Sequence, residues 1–220
     1  MRRAILLLVA ALTVATAPVG ASDFVGCNGT LTLSFAPAPA ATRTLAVEPV
    51  EGYTTVEVYG SFRDLEPMEG PGGAVLAIGG FEFSLAITGA EPLSVAKKVL
   101  VQHRDFGPDP RTIWAGVESS GERVDQGPLD LVRWTVIFAG RPENVRFSLD
   151  PAGLLSCDDF PACGEADVRG MYVGALDVGQ HEYLWGLGCA PAVLNPTGEP
   201  DLAHEGCSLG FAEVGVFAPR

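Results

Sequence analysis

Positive charge is scarce in this sequence. The 220 residues carry 14 Lys and Arg against 27 Asp and Glu, a formal net charge of -13, and only two lysines, Lys97 and Lys98, occur in the whole chain. A protein that follows a phosphate backbone needs clustered cations, so nucleic-acid binding is excluded as its work. Catalytic signatures are also missing: there is no G-x-S-x-G elbow, no H-E-x-x-H zinc helix and no glycine-rich phosphate loop. Histidine is limited to His103, His181 and His204, which could join a nucleophile and an acid only through the fold, since triads follow geometry and not chain order. The many carboxylates could supply a glycosidase pair, but nothing in the sequence selects one, and solvated strand faces and loops account for them. No cofactor-binding pattern is present. After residue 17 no apolar run approaches the roughly 20 residues that span a bilayer.

What is present begins at the N-terminus. Arg2 and Arg3 precede an apolar run from Ala4 to Val14, and small residues follow up to Val19-Gly20-Ala21. This is the layout of a secretory signal peptide cleaved after Ala21. The alternative of a lipidated Cys27 in Phe24-Val25-Gly26-Cys27 is weakened by Ser22 and Asp23, which interrupt the hydrophobic approach. Loss of residues 1–21 removes two arginines and no acids, leaving 12 cations against 27 acids, or -15. The expected location is secreted, extracellular or periplasmic.

Five cysteines in an exported chain point to disulfides. Nearest-neighbour pairing joins Cys157 to Cys163 and Cys189 to Cys207 and leaves Cys27 over, to be free, lipidated or bonded to another chain. Closing the longer loop would contribute about 3 kcal/mol by restricting the unfolded chain. Zinc drawn from these cysteines with His181 and His204 lacks any C-x-x-C spacing. Calcium could in principle use Asp125, Asp130, Asp150, Asp158 or Asp159, yet the D-x-[DN]-x-[DN]-G spacing is absent, so no metal is assigned.

Apolar residues recur at every second position through the middle of the chain. Phe81, Phe83, Leu85 and Ile87 fall on one face of a strand, and Glu82, Ser84 and Thr88 on the other. The same alternation runs through Thr30 to Phe35, Val56, Val58 and Phe62, then Val132, Trp134, Val136 and Phe138, and Val145, Phe147 and Leu149. Gly and Pro, about a fifth of all residues, separate these runs at 69–73, 106–110 and 140–143. Helical patterns of about 10–15 residues do not alternate with them, so the pattern predicts an antiparallel β-sandwich. Pro92 to Val101 fits a helix or a strand equally well. Residues 22–150 form the expected body. Residues 151–220 form a cysteine-rich extension packed on it, with strand-like islands at Met171–Leu176, Glu182–Leu187 and Ser208–Ala218. No internal repeat is visible.

Several of these stretches carry a resemblance. Thr55-Val56-Glu57-Val58-Tyr59-Gly60, then Gly79-Gly80-Phe81-Glu82-Phe83-Ser84-Leu85-Ala86-Ile87 running to Pro92-Leu93-Ser94-Val95, and later Leu129 to Phe138 follow one another in an order that resembles cohesin-like domains, over roughly residues 27–150. These are secreted sandwiches of about nine strands. The resemblance implies a non-catalytic module that binds a protein partner, dockerins being the family's partner class. The stretch from Cys157 to Cys207 has no counterpart in a plain cohesin.

Three aromatics are candidates for facing a ligand. Trp114, Tyr183 and Trp185 lie in strand-like or loop sequence, and such rings on an open sheet face stack on sugars or anchor a protein. Trp134, flanked by Val132 and Val136, belongs to the core. The expected role is recognition of a protein partner through a sheet face or end loops. A carbohydrate-binding module and a secreted hydrolase with an unrecognised site are the alternatives.

Overall fold

The longest alternating run becomes the longest strand. In a computed structural model of the chain, β5 spans Gly73–Thr88 and buries Phe81, Phe83 and Leu85. The structure describes residues 23–40, 42–62, 69–70, 72–101, 103–105, 107–117, 122–123, 127–152, 172–177, 179 and 182–203. Among them every regular element is a strand, and no helix is long and apolar enough to cross a membrane.

One layer runs β13 (Glu182–Ala190), β1 (Asp23–Ser34), β3 (Tyr53–Phe62), β10 (Leu129–Ala139) and β6 (Ser94–Val99). The other is built on β5, with β11 (Val145–Asp150) on one edge and β8 (Thr112–Val117) on the other. Beyond β11 lie β14 (Ala192–Leu194) and β2 (Thr44–Leu45), and beyond β8 lies β7 (His103–Asp105). Two short strands, β4 (Glu69–Gly70) and β9 (Glu122–Arg123), pair with β5. Hydrogen bonding passes from layer to layer through β12 (Tyr172–Asp177), which pairs with both β5 and β13. Among the described residues, nine of the fourteen strands have six residues or more.

Facing side chains make this a sandwich. The Trp134 ring of β10 lies 6.2 Å from Phe83 of β5, and Phe138 lies 6.4 Å from Phe147 of β11, both edge-on. Val132, Trp134, Val136 and Phe138 are all at most 1% exposed. Each such side chain contributes on the order of 1.5–3 kcal/mol by leaving water. The stretch that fitted helix or strand equally is an edge strand, β6, with Val95 and Val99 turned to the core and Leu93 exposed.

An edge strand presents unpaired backbone groups, and this one is blunted by an inward lysine. Lys97 stands opposite Trp134, and its Nζ donates to Thr112 O at 2.5 Å and Gly107 O at 3.3 Å. It thereby ties the edge of one layer to the loop that opens β8 in the other. Gly107 is required there because a Cβ would stand 2.1 Å from the Thr112 carbonyl oxygen. Asp109 completes the corner by accepting bonds from Arg111 N, Thr112 N and Thr112 Oγ1 at 2.7–2.9 Å. Partial burial pushes its carboxyl up, but the bonds from Thr112 and Arg111 and the charge of Lys97 outweigh this and hold it below its ordinary range.

Two expectations are corrected. The sheet is not wholly antiparallel: β1 runs parallel to β13, and β14 parallel to β2. Both pairs join segments far apart in sequence, so no hairpin dictates their direction. Glu82, read as lying on the solvated polar face of β5, is 1% exposed, at a point where β5 is paired on both sides, with β12 and with β8.

Candidate functional site

Trp114 is the large aromatic that β8 turns away from the core. Its neighbours Ile113 and Ala115 are buried at 0% and 2%, whereas Trp114 is 38% exposed. The strand period requires this: alternate residues take opposite faces, and the apolar pair claims the core.

Across β5 and β11 the outer face is made of small polar residues. Register places Glu82 beside Trp114, Ser84 beside Thr112 and Asp150, Ala86 beside Ser148, and Thr88 beside Arg146. Thr112 and Ser148 are nearly buried by their neighbours, Ser84 and Ala86 are half-buried, and Thr88 and Asp150 are exposed. Ser84 Oγ and Thr112 Oγ1 approach to 3.4 Å. Toward the Thr88 end of β5, Arg146 on the β11 side donates to the Asp201 carbonyl, and Arg111 on the β8 side pairs with Glu91 at 3.2 Å. The result is a gently pleated surface with short side chains, one indole and charges toward the Thr88 end. Short hydroxyl and methyl groups leave little rotamer freedom to lose on contact, and an exposed indole is the residue type most often found as an interface anchor.

The other expected aromatics stand on a different strand from Trp114. Tyr183 and Trp185 lie on β13, and the row through Trp185 runs by way of Val173 and Phe81 to Ala115. That puts their backbone three strands from β8, about 14 Å at ordinary strand spacing. Their side chains lie outside the described residues. So do Cys157, Cys163 and Cys207, the histidines at 181 and 204, the acids at 125, 158 and 159, and the strand read at 208–218. Cys189 is described and fully buried beside Leu31. Cys27 is placed on β1 opposite Gly186.

Metal chemistry finds no foothold among the described residues, where no three His, Cys, Asp or Glu side chains converge. Asp130, a calcium candidate from the sequence, is spent on structure: its carboxylate accepts Ala38 N at 3.0 and 3.1 Å and the Ser61 hydroxyl.

Sequence reasoning missed the residues around Trp114. Ser84, Ala86, Ser148 and Thr112 have no distinctive chemistry, and only their alternation with Phe83, Leu85, Phe147 and Ile113 marks them as a face.

The fold and this open face define an all-β sandwich module with a mixed surface on which the indole of Trp114 is exposed. No protein-family model and no curated protein matches the chain. Among solved structures it is similar to the seventh ScaB type I cohesin of Pseudobacteroides cellulosolvens, at 12% identity over 80% of this chain and 96% of that one, with a TM-score of 0.40. It is similar also to the cohesin module of a Clostridium perfringens family 33 glycoside hydrolase, at 12% identity over 77% and 99% of the two chains, with a TM-score of 0.35.

Proposed function

We propose that this chain is a secreted, non-catalytic module that binds a protein partner across the outer face of β11, β5 and β8. The observation that carries the reading is Trp114, held 38% exposed by a rigid strand whose alternate residues are buried. A flat surface of serine, threonine and alanine around one indole suits a protein surface of similar flatness, with the ring as anchor and Arg146 and Asp150 as polar rim. The segment order that resembles cohesin-like domains implies the same class of work. Export through residues 1–21 would place the module where such partners are displayed. A formal charge of -13 keeps it off anionic surfaces and suits a partner that is neutral or basic.

The test uses matched baits. Immobilised wild type, Trp114→Ala and Ser84→Arg are exposed to the secreted proteins of the producing cells. A protein retained by wild type and lost by both variants supports the reading. Equal retention by all three contradicts it. Oligosaccharides bound by wild type and lost by Trp114→Ala would replace it with carbohydrate binding.

A further inference from the structure

A second exposed apolar surface lies on the other layer, remote from Trp114. Its centre is a tight turn. Val50 and Tyr53 exchange backbone bonds of 2.8 and 3.0 Å, and between them Glu51 has a φ of 52° and Gly52 one of 83°. This is a two-residue hairpin turn of the type that twists with its strands. Glu51 occupies a position that favours Asn, Asp or Gly, at a conformational cost. Gly140 N donates to Gly52 O at 2.7 Å, so the turn is also fastened to the end of β10.

The tip is therefore stiff, yet it holds two large apolar side chains in water. Val50 is 74% exposed and Tyr53 53%. Beside them Val47, Glu48, Thr55 and Ile137 complete a groove of about 460 Å³. Thr55 and Ile137 are cross-strand partners that form its floor. The surroundings are acidic: Glu48 lines the groove and is bonded by Arg141 at 3.2 Å, Arg141 also reaches Glu143 at 3.6 Å, and exposed Glu51 stands in the turn itself, so three carboxylates accompany one guanidinium. Further along the same face Glu57 is engaged by Arg133 at 3.0 Å.

We propose that this groove is a second docking site, for a protein segment presenting an aliphatic or aromatic side chain flanked by lysine or arginine. The apolar floor takes the side chain, and the surrounding carboxylates take the flanking cations. A second copy of this chain is the wrong occupant. Self-association would set one acidic surface against another in a protein already at -13. The preformed turn means that little chain entropy is lost on contact. The site stands independently of the Trp114 face.

The probe is a capped hexapeptide with a Leu-Phe centre between paired lysines, titrated against isotope-labelled protein while backbone amide shifts are followed. It should move the amides of Val47, Val50, Tyr53 and Ile137. The same peptide with glutamates in place of lysines, and a lysine peptide with a Gly-Ser centre, should leave them in place. Tyr53→Ala and Val50→Ser, both at exposed positions, should each weaken the response about tenfold. Glu48→Gln with Glu143→Gln should weaken it about fivefold and flatten its salt dependence. Trp114→Ala should change nothing. The proposal is overturned by silence of these amides at millimolar peptide, by an equal response to the glutamate peptide, by full binding in Tyr53→Ala and Val50→Ser, or by loss of binding in Trp114→Ala. An oligosaccharide that moves these amides where the peptide does not would overturn it too.

Discussion

Replacing Asn195 by alanine should destabilise the protein far more than a polar-to-alanine change normally does. Asn195 is 2% exposed and joins three segments. Its Oδ1 accepts Val47 N at 2.7 Å, and its Nδ2 donates to Pro142 O at 2.8 Å. Its own backbone donates to Leu45 O and accepts from Asn144 N, at 2.7 and 3.0 Å. Truncation leaves an amide and a carbonyl without partners, each costing about 1–3 kcal/mol if water cannot reach it. Asn195 also has a φ of 47°, a left-handed conformation that asparagine tolerates and alanine resists by roughly 1–2 kcal/mol. Because the loop lies near the surface and water will satisfy part of the loss, a total of about 3 kcal/mol is expected. With a urea m-value of about 2 kcal/mol/M, the midpoint should fall by about 1.5 M. Asn195→Gly isolates the two terms, since it keeps the conformation and loses the bonds. It should recover about 1 kcal/mol. A shift below about 0.5 kcal/mol for Asn195→Ala, the range of ordinary surface changes, would refute this description of the latch.

Other outcomes follow from the corner between the layers and from the cysteines. Gly107→Ala, whose Cβ would stand 2.1 Å from Thr112 O and 2.6 Å from Lys97 Nζ, should cost about 1–3 kcal/mol in chemical denaturation, and an unchanged midpoint would contradict the close approach. The Asp109 carboxyl is held below its ordinary value of 3.8, so its contribution is complete above that pH and is lost as pH falls through the depressed folded value. The stability gap between wild type and Asp109→Asn should thus be constant from neutral pH to about 5 and close below about 4, and a gap independent of pH would contradict the bonds assigned to it. Peptide mapping of exported protein without reductant should join Cys157 to Cys163 and Cys189 to Cys207, and any other connectivity would refute that pairing.

The core was legible in the sequence because a strand repeats every two residues. Phe81, Phe83, Leu85, Trp134, Val136, Phe138, Phe147 and Leu149 recur at every second position, mostly between polar or small residues, and all are buried. That pattern reports only which face is apolar. It does not report what covers the polar face, which is why Glu82 was misread, nor strand direction, which is why the parallel pairing of β1 with β13 was not foreseen. The Lys97 clamp was hidden for a related reason. A lysine in an edge strand looks like a solvated residue until the loop carrying Gly107 and Thr112 is folded over it. Of the candidate site, Trp114 was named from its residue type alone, while Ser84, Thr112 and Ser148 became a surface only through the register of β5 with β8 and β11. Val50 and Tyr53 did carry a signal, the Glu51-Gly52 pair between them, but a glutamate at the first left-handed position masks the usual turn signature.

The relaxation of the indole protons of Trp114 and Trp134 by a soluble gadolinium complex tests the account most directly. Two facing layers that bury Trp134 and present Trp114 predict a strongly broadened Trp114 signal and an almost untouched Trp134 signal, in line with exposures of 38% and 0%. Equal broadening of both, or broadening of Trp134 alone, would contradict the sandwich and the binding face together.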